Sequence, residues 1–149
     1  MSEVLFYHLE KRTLDDVLPG LVERSLERGW RAVIQAGSAE MVEVLTQHLW
    51  TFRDDSFVAH GTKADGHASA QPIYLTDEDE NPNDAEVLFL VDGATRADIS
   101  AFKRSVYIFD GRDSQAVEAA RKAWAQAVND GHEVTYWRQG PEGRWEKAN

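Results

Sequence analysis

The first fifty residues alternate twice between a short apolar run and a longer stretch with helical spacing. The runs "EVLFYHL" (3–9) and "RAVIQAG" (31–37) are rich in residues that favour buried strands. They are followed by "TLDDVLPGLVERSLERGW" and "SAEMVEVLTQHLW", whose apolar residues recur at the spacing of an amphipathic helix. This order predicts a parallel α/β sheet, because parallel neighbours are joined by crossover helices that are almost always right-handed.

The first helix has two possible starting points. Thr13 can cap a helix whose first turn contains Asp15 and Asp16, where the helix dipole favours anions. Pro19 and Gly20 would strain the middle of that helix. The helix could instead begin at Pro19, because the first helical position tolerates proline.

The rest of the chain adds five runs that predict strands and one further helix. The helix is "SQAVEAARKAWAQAVND", which Asp113 or Ser114 can cap and Gly131 can end. The strand-like runs are "SFVAH", "QPIYLT", "AEVLFLVDG", "KRSVYIFDG" and "HEVTYWRQ", the last with "GRWEKA" as a hairpin partner. We therefore expect a single domain over residues 1–149. Its predicted fold is a Rossmann-like three-layer α/β arrangement with a mostly parallel central sheet flanked by helices.

The composition narrows the range of partners and compartments. The net charge is -10, so long-range repulsion disfavours direct binding to nucleic acid. Cysteine is absent, which removes disulfides and thiolate chemistry and fits a cytoplasmic protein. We expect neither a membrane span nor a signal peptide, because no apolar run is long enough and "MSEVLFYHLEKR" lacks a basic region followed by an apolar one.

The sequence contains few signs of catalytic or cofactor chemistry. The glycine motifs that cradle nucleotide phosphates are missing, and "HLEKRT" stands at the first strand-helix turn, so no cofactor is expected. His60, Asp65 and His67 lie in one predicted loop and could form a metal site, but their spacing matches no established metal-binding pattern. The carboxylates of 77–80 could bind Mg²⁺, although consecutive carboxylates seldom converge on one point and a solvated loop is the simpler interpretation.

The last helix carries an apolar stripe with a cation at its border. Alanines form the centre of the stripe: Ala116, Ala120, Ala123 and Ala127. Larger residues follow along one edge: Val117, Trp124 and Val128. Arg121 lies just outside that edge. Either Trp124 is a core anchor beside a solvated arginine, or the pair forms a shallow pocket for a carboxylate and an apolar side chain.

Several segments stand in an order and spacing that resemble one family. They are "FYHL", "LVERSLERGWRAVI", "LTQHLWTFRDDSFVAHG", "QPIYLTDEDENPNDAEVLFLVDG" and "RKAWAQAVNDGHEVTYWRQGPEGRWEKA". Together they resemble the chi subunit of bacterial DNA polymerase III, a component of the clamp-loader assembly. The most specific part is Leu49-Trp50 followed by "SFV", together with the last helix and its "TYW" ending.

The resemblance implies a non-catalytic replisome adaptor. Chi proteins bind the acidic C-terminal tail of single-stranded DNA-binding protein (SSB), which ends in a phenylalanine with a free carboxylate. On another surface they bind the psi subunit, which links SSB-coated template to the polymerase. Such a ligand would explain how an acidic chain can serve DNA replication without touching DNA.

The resemblance also implies two sets of site residues. Arg121 matches the family's basic position on the last helix and Trp124 its aromatic position, with Val117 and Val128 as the apolar edge. The next basic position of some relatives is Ala125 here, which should weaken the electrostatic part of tail binding. The surface for psi, or for a helicase in some relatives, would comprise Trp50, Phe57 and Val58.

Further expectations follow from this adaptor hypothesis. Trp50 and Phe57 should be partly exposed if they anchor a partner, and Arg104 or Arg138 should assist Arg121. The alternative is a metal-dependent hydrolase or nucleotide-processing enzyme that uses His60 or the acidic loop. A third hypothesis is an interaction domain for a different acidic peptide.

Overall fold

The computed structural model describes residues 2–10, 12–51, 61–96, 98–139 and 144–148, with Trp50, Thr51 and Ala64 described by their backbone alone. The helices and strands of these residues are β1 (Glu3–Leu9), α1 (Leu14–Glu27), β2 (Ala32–Gln35), α2 (Ala39–Thr51), β3 (Gly61–Thr62), β4 (Ile73–Thr76), β5 (Val87–Leu90), β6 (Arg104–Asp110), α3 (Ser114–Asn129), β7 (Glu133–Gln139) and β8 (Trp145–Lys147). None of these helices is long and apolar enough to cross a membrane.

All the described strands belong to one sheet, in the order β3-β4-β2-β5-β6-β1-β7-β8. Each neighbouring pair is parallel except β7 and β8, which pair antiparallel as the expected hairpin. The predicted α/β fold with a mostly parallel central sheet is therefore confirmed. The predicted strand "SFVAH" lies outside the described residues.

Helices cover both faces of this sheet. Side chains alternate between the faces along each strand. Leu5 and Leu9 of β1 join the core beneath α1 and α2, and Val4 and Phe6 join the core beneath α3. We call these two sides of the sheet the α1/α2 face and the α3 face.

Helix α1 begins at Leu14, and the alternative start at Pro19 is wrong. Thr13 and Asp16 form a reciprocal capping box at this end of the helix. Pro19 lies inside the helix and is buried. It has no N–H to donate to the carbonyl of Asp15, and Nε2 of His48 donates to that oxygen instead, at 2.7 Å. Helix α2 thereby supplies the hydrogen bond that the proline removes.

Helix α3 begins at an aspartate and ends at a glycine. The side chain of Asp113 accepts hydrogen bonds from the backbone N–H groups of Gln115 and Ala116, so Asp113 is the cap. Gly131 follows the helix with a φ of +81°, a conformation that favours glycine. The buried residues of α3 are Ala120 and Ala127, at the centre of the predicted stripe.

Candidate functional site

The four residues proposed for tail binding lie along one side of α3. Val117, Arg121, Trp124 and Val128 follow each other at intervals of three or four, which places them on one stripe of the helix. Arg121 is exposed, Val117 and Trp124 are half-buried, and Val128 is 53% exposed. The stripe therefore combines apolar surface with a cation in contact with solvent.

The ring of Trp124 is packed against the sheet on its inner side. Its centroid lies 5.5 Å from that of Phe6 and 5.7 Å from that of Tyr136. Phe6 is fully buried and stacks on Tyr107 at 4.8 Å. Trp124 is thus a core anchor, yet its half-buried ring also contributes to the surface beside Arg121. The core-anchor interpretation is confirmed, and the pocket for a carboxylate stays a prediction.

The second arginine of the site comes from β7. Burial raises the pKa of Tyr136, while the nearby charges of Arg138 and Arg121 oppose that rise. Arg138 follows Tyr136 by two residues on β7, so both side chains project to the same face of the sheet, and Arg121 comes from α3, which covers that face. Arg138 donates from Nε and from a terminal nitrogen to one oxygen of Glu10, at 3.1 and 2.8 Å.

A chain of polar side chains connects these residues beneath the surface. The hydroxyl of Tyr136 lies 2.6 Å from Nδ1 of His8, and Nε2 of His8 lies 3.5 Å from Glu10. Burial lowers the pKa of His8, and the charge of Arg138 lowers it further, so the neutral ring is favoured. The arrangement that satisfies all these atoms has Tyr136 donating to His8 and His8 pointing its own N–H toward Glu10.

Backbone contacts fix this polar chain at the carboxyl ends of β1 and β7. The side-chain oxygen of Gln139 accepts hydrogen bonds from the N–H groups of Glu10 and Arg12, at 2.9 and 3.1 Å. Gly111, which follows β6, runs so close to His8 that a Cβ at this position would overlap the imidazole ring. Gln139 at the end of β7 therefore fixes the backbone of Glu10, and the turn after β6 limits the position of the His8 ring.

This geometry suits an anionic ligand that also carries an apolar group. Arg121 is exposed and can meet a carboxylate with two parallel N–H groups. Val117, Trp124 and Val128 provide apolar surface on the same side of the helix. Arg138 adds positive charge nearby, but Glu10 neutralises much of it in the described conformation.

The structure corrects one expected neighbour of Arg121. Arg104 begins β6 on the α1/α2 face, where its guanidinium lies 5.2 Å from the ring of Trp30. Arg121 lies on the opposite face, so the two residues cannot act on one ligand. The linear sequence hides this separation, because a strand residue's face depends on the register and order of the strands.

The expected partner surface falls largely outside what the structure describes. Phe57 and Val58 lie outside the described residues, and for Trp50 only the backbone at the end of α2 is described. Their predicted partial exposure stays a prediction.

The residues considered for metal binding have other contacts. His60 lies outside the described residues, and Asp65 accepts hydrogen bonds from the backbone and hydroxyl of Thr62. In the acidic loop, Asp79 accepts from Gln35 and Glu80 from the hydroxyl of Thr76. Within the described ranges, no three His, Asp or Glu side chains are grouped to hold a metal ion.

A crevice of about 490 Å³ lies at the carboxyl ends of the strands, between the starts of α1 and α3. Nucleotides bind in this region of doubly wound folds. Here its lining includes three aspartates, Asp92, Asp110 and Asp113, the last of which caps α3. Arg12 and Arg112 also line it, but Arg112 is paired with Asp110 at 3.1 Å and Arg12 donates to the backbone oxygen of Asp16 at 2.9 Å. These charges disfavour a phosphate ligand.

Comparison with known proteins identifies the family. The family described as "DNA polymerase III chi subunit, HolC" matches residues 1–135. The chain belongs to the DNA polymerase III chi subunit family. It is also 31% identical over 109 residues to the "Probable DNA polymerase III subunit chi" of Rickettsia prowazekii (strain Madrid E). The matched part covers 73% of this chain and 66% of that relative, just under two thirds of its length.

The family match ends within β7, one residue before Tyr136. It includes helix α3 and all four residues of the proposed stripe. The polar chain is only partly inside the match, since His8 and Glu10 are included while Tyr136 and Arg138 follow it. Sequence reasoning missed His8 and Glu10 as site residues because nothing in the sequence places β1 beside β7.

Proposed function

We propose that this chi-family chain is a non-catalytic adaptor in DNA replication. It binds the acidic C-terminal tail of SSB on the α3 stripe, and it connects SSB to the clamp loader of DNA polymerase III through psi or an equivalent partner. Family membership supports the role in the polymerase complex. The tail and the partners are inferences from the resemblance and from the chemistry of the surface.

The observation that supports tail binding is the position of Arg121. It is exposed, on the same side of α3 as Trp124, and close enough to Tyr136 to affect the pKa of its hydroxyl. A terminal carboxylate bound to Arg121 would leave the last phenylalanine ring beside the apolar edge of the stripe. The carboxylate can bond to Arg121 while the phenylalanine ring contacts the apolar edge only in one orientation of the tail, so the two contacts together would select a C-terminal phenylalanine.

Ala125 stands where some relatives carry a second cation, and it is exposed. Arg138 is placed to compensate in part, because it lies on β7, two residues beyond Tyr136 and on the same face of the sheet. Attraction of the tail would then come from Arg121 on the helix and Arg138 on the sheet. Binding weaker than in relatives with two helix cations is expected.

A peptide titration tests this function. Calorimetry compares a synthetic SSB tail, the same peptide without its last phenylalanine, and the same peptide with an amidated C-terminus. We expect only the intact peptide to bind, with a dissociation constant of about 1–50 μM. The truncated peptide lacks the phenylalanine ring, and the amidated peptide lacks the terminal charge. Equal binding of all three peptides would show that the acidic residues bind non-specifically, and the proposed site would be wrong.

The partner surface needs a separate test. We propose that Trp50, Phe57 and Val58 contact psi or its equivalent. Phe57→Ala should abolish co-purification with that partner while leaving tail affinity unchanged, since aromatic anchors dominate interfaces. Loss of both activities would indicate unfolding, and loss of neither would remove Phe57 from the interface.

A further inference from the structure

A second cleft lies on the α1/α2 face, far from the α3 stripe. It has a volume of about 430 Å³, within the size range of small-ligand sites. The second half of α1 forms one wall, and strands β1, β5 and β6 form the floor. Neither the adaptor function nor the proposed tail site involves this cleft.

The floor of the cleft is apolar. It consists of Leu5, Val87, Phe89 and Val106, all nearly inaccessible to solvent. They come from three adjacent strands and project to the same face. Leu21 of α1 borders them. The accessible apolar surface of the cleft is small, so it suits an apolar group no larger than one side chain.

The rim of the cleft is basic in a chain whose net charge is -10. Three arginines line it, Arg24 and Arg28 from α1 and Arg104 from β6. The lining contains one acidic side chain, Glu27, which is exposed. Positive charge is thus concentrated where two separate elements meet.

A phenol hydroxyl completes the polar side of the cleft. Tyr7 is half-buried, and its ring packs edge-on against Trp145 with centroids 4.8 Å apart. Tyr7 lines the same cleft as Arg24 and Arg104. Burial raises the pKa of Tyr7, and the charges of Arg104 and Arg24 oppose that rise. The hydroxyl can therefore donate to the same anion that the arginines attract.

Internal contacts explain only part of this arrangement. Arg28 and Arg104 lie over the ring of Trp30, at 4.9 and 5.2 Å, and Arg104 pairs with Glu3 at 3.1 Å. Arg24 suits the last turn of α1, where cations complement the helix dipole. Within the part of the chain that the structure describes, however, its guanidinium forms no hydrogen bond or ion pair.

We propose that this cleft is a second anion site, which binds an oxyanion joined to an apolar group. Arg24 and Arg104 would hold a carboxylate or phosphate, the hydroxyl of Tyr7 would donate to it, and the apolar group would lie on the floor. The C-terminus of a peptide and a small phosphorylated molecule share this chemistry. The proposal does not depend on tail binding at Arg121.

Two small probes distinguish the sources. N-acetyl-phenylalanine represents a peptide carboxylate, and phenyl phosphate represents a phosphorylated molecule. Each is titrated into the full-length ¹⁵N-labelled protein by NMR. We expect saturable shifts at amides of α1, β1 and β6, with a dissociation constant in the millimolar range, about 1–10 mM, for a ligand this small. The probe that binds more tightly identifies the source.

Three variants test the residues. Arg24→Gln should weaken both probes about fivefold, and Tyr7→Phe, which keeps the ring against Trp145, should weaken them about threefold. Lys122→Gln removes the same charge from the exposed side of α3 and should change nothing. Shifts confined to α3, an equal loss in Lys122→Gln, or no binding up to about 10 mM would each overturn the proposal.

Discussion

The proposed tail site depends on a single exposed arginine of α3. Arg121 lies on the solvent side of α3, between the half-buried Val117 and Trp124. An exposed cation attracts a carboxylate weakly unless both nitrogens of its fork engage. In the proposed site, the neighbouring apolar side chains would keep water from one side of the contact between Arg121 and the carboxylate.

Removal of this cation gives the first prediction. Arg121→Ala should weaken binding of the SSB tail by about 1.5–3 kcal/mol, the range for a hydrogen bond to a charged group, and nearer the lower end because the side chain is exposed. Lys122→Ala, one position along and on the outer side, is the control. Calorimetry with both variants folded decides it, and unchanged affinity in Arg121→Ala would place the tail elsewhere.

The carboxylate of Glu10 gives the second prediction. It holds Arg138 at 2.8 Å and so competes with any incoming carboxylate for that guanidinium. Glu10→Gln should therefore strengthen tail binding about two- to fivefold, as expected for release of one exposed ion pair. Glu40→Gln, which removes the same charge from α2, should leave the affinity unchanged. Weaker binding in Glu10→Gln would show that Glu10 positions Arg138 for the ligand.

His8 gives a prediction for the pH dependence of stability. It is 8% exposed, and burial lowers its pKa below the ordinary value. The unfolded chain therefore takes up a proton at His8 before the folded chain does. The folded state is therefore stabilised relative to the unfolded state while His8 is neutral in both. This contribution is complete above about pH 6.5 and is lost as the pH falls through the folded-state pKa.

Urea unfolding at several pH values measures this effect. The free energy of unfolding should fall more steeply below about pH 6.5 in the wild type than in His8→Gln, because the variant has no proton to take up at this position. The other histidines contribute equally to both proteins. The same pH dependence in both would mean that His8 keeps its ordinary pKa on folding.

At the scale of elements, the start of α3 positions the whole stripe. The sequence left Asp113 and Ser114 as alternative caps, and the structure assigns the cap to Asp113. Asp113→Ala should lower the free energy of unfolding by about 1 kcal/mol, the usual effect of losing a cap. Ser114→Ala should have almost no effect. Chemical denaturation measures both, and a larger loss in Ser114→Ala would contradict the assignment.

The order of elements could be predicted from the sequence, but the order of strands could not. Local patterns specified β1 and β2 as continuous apolar runs, because both faces of these strands are buried, and specified α2 and α3 by the helical spacing of one apolar face. The position of β7 next to β1 depends on the tertiary packing of helices and sheet, which a local sequence pattern does not specify. The pairing of His8 with Tyr136 therefore became visible only in the structure.

Helix α1 shows how a tertiary contact can override a local rule. Pro19 predicted a helix start because it cannot donate to the carbonyl of Asp15. The donation from His48 of α2 satisfies that carbonyl and lets the helix run through the proline. The sequence could not show this, because the two residues are 33 positions apart.

At the scale of the whole molecule, charge separates the adaptor from a DNA-binding protein. The chain carries 26 acidic and 16 basic side chains of Asp, Glu, Lys and Arg. Such a surface repels both DNA and an acidic peptide at long range, so attraction must come from close contacts. Close, partly desolvated pairs are screened less by salt than exposed ones.

Fluorescence anisotropy with two labelled ligands, an SSB tail peptide and a single-stranded oligonucleotide, tests the adaptor function most directly. From low to physiological salt, the peptide should bind with only a modest loss of affinity, because the proposed contact with Arg121 is local. The oligonucleotide alone should not bind measurably at physiological salt. Tight binding of the oligonucleotide, with the steep salt dependence of counterion release, would contradict the proposed function and identify a DNA-binding surface instead.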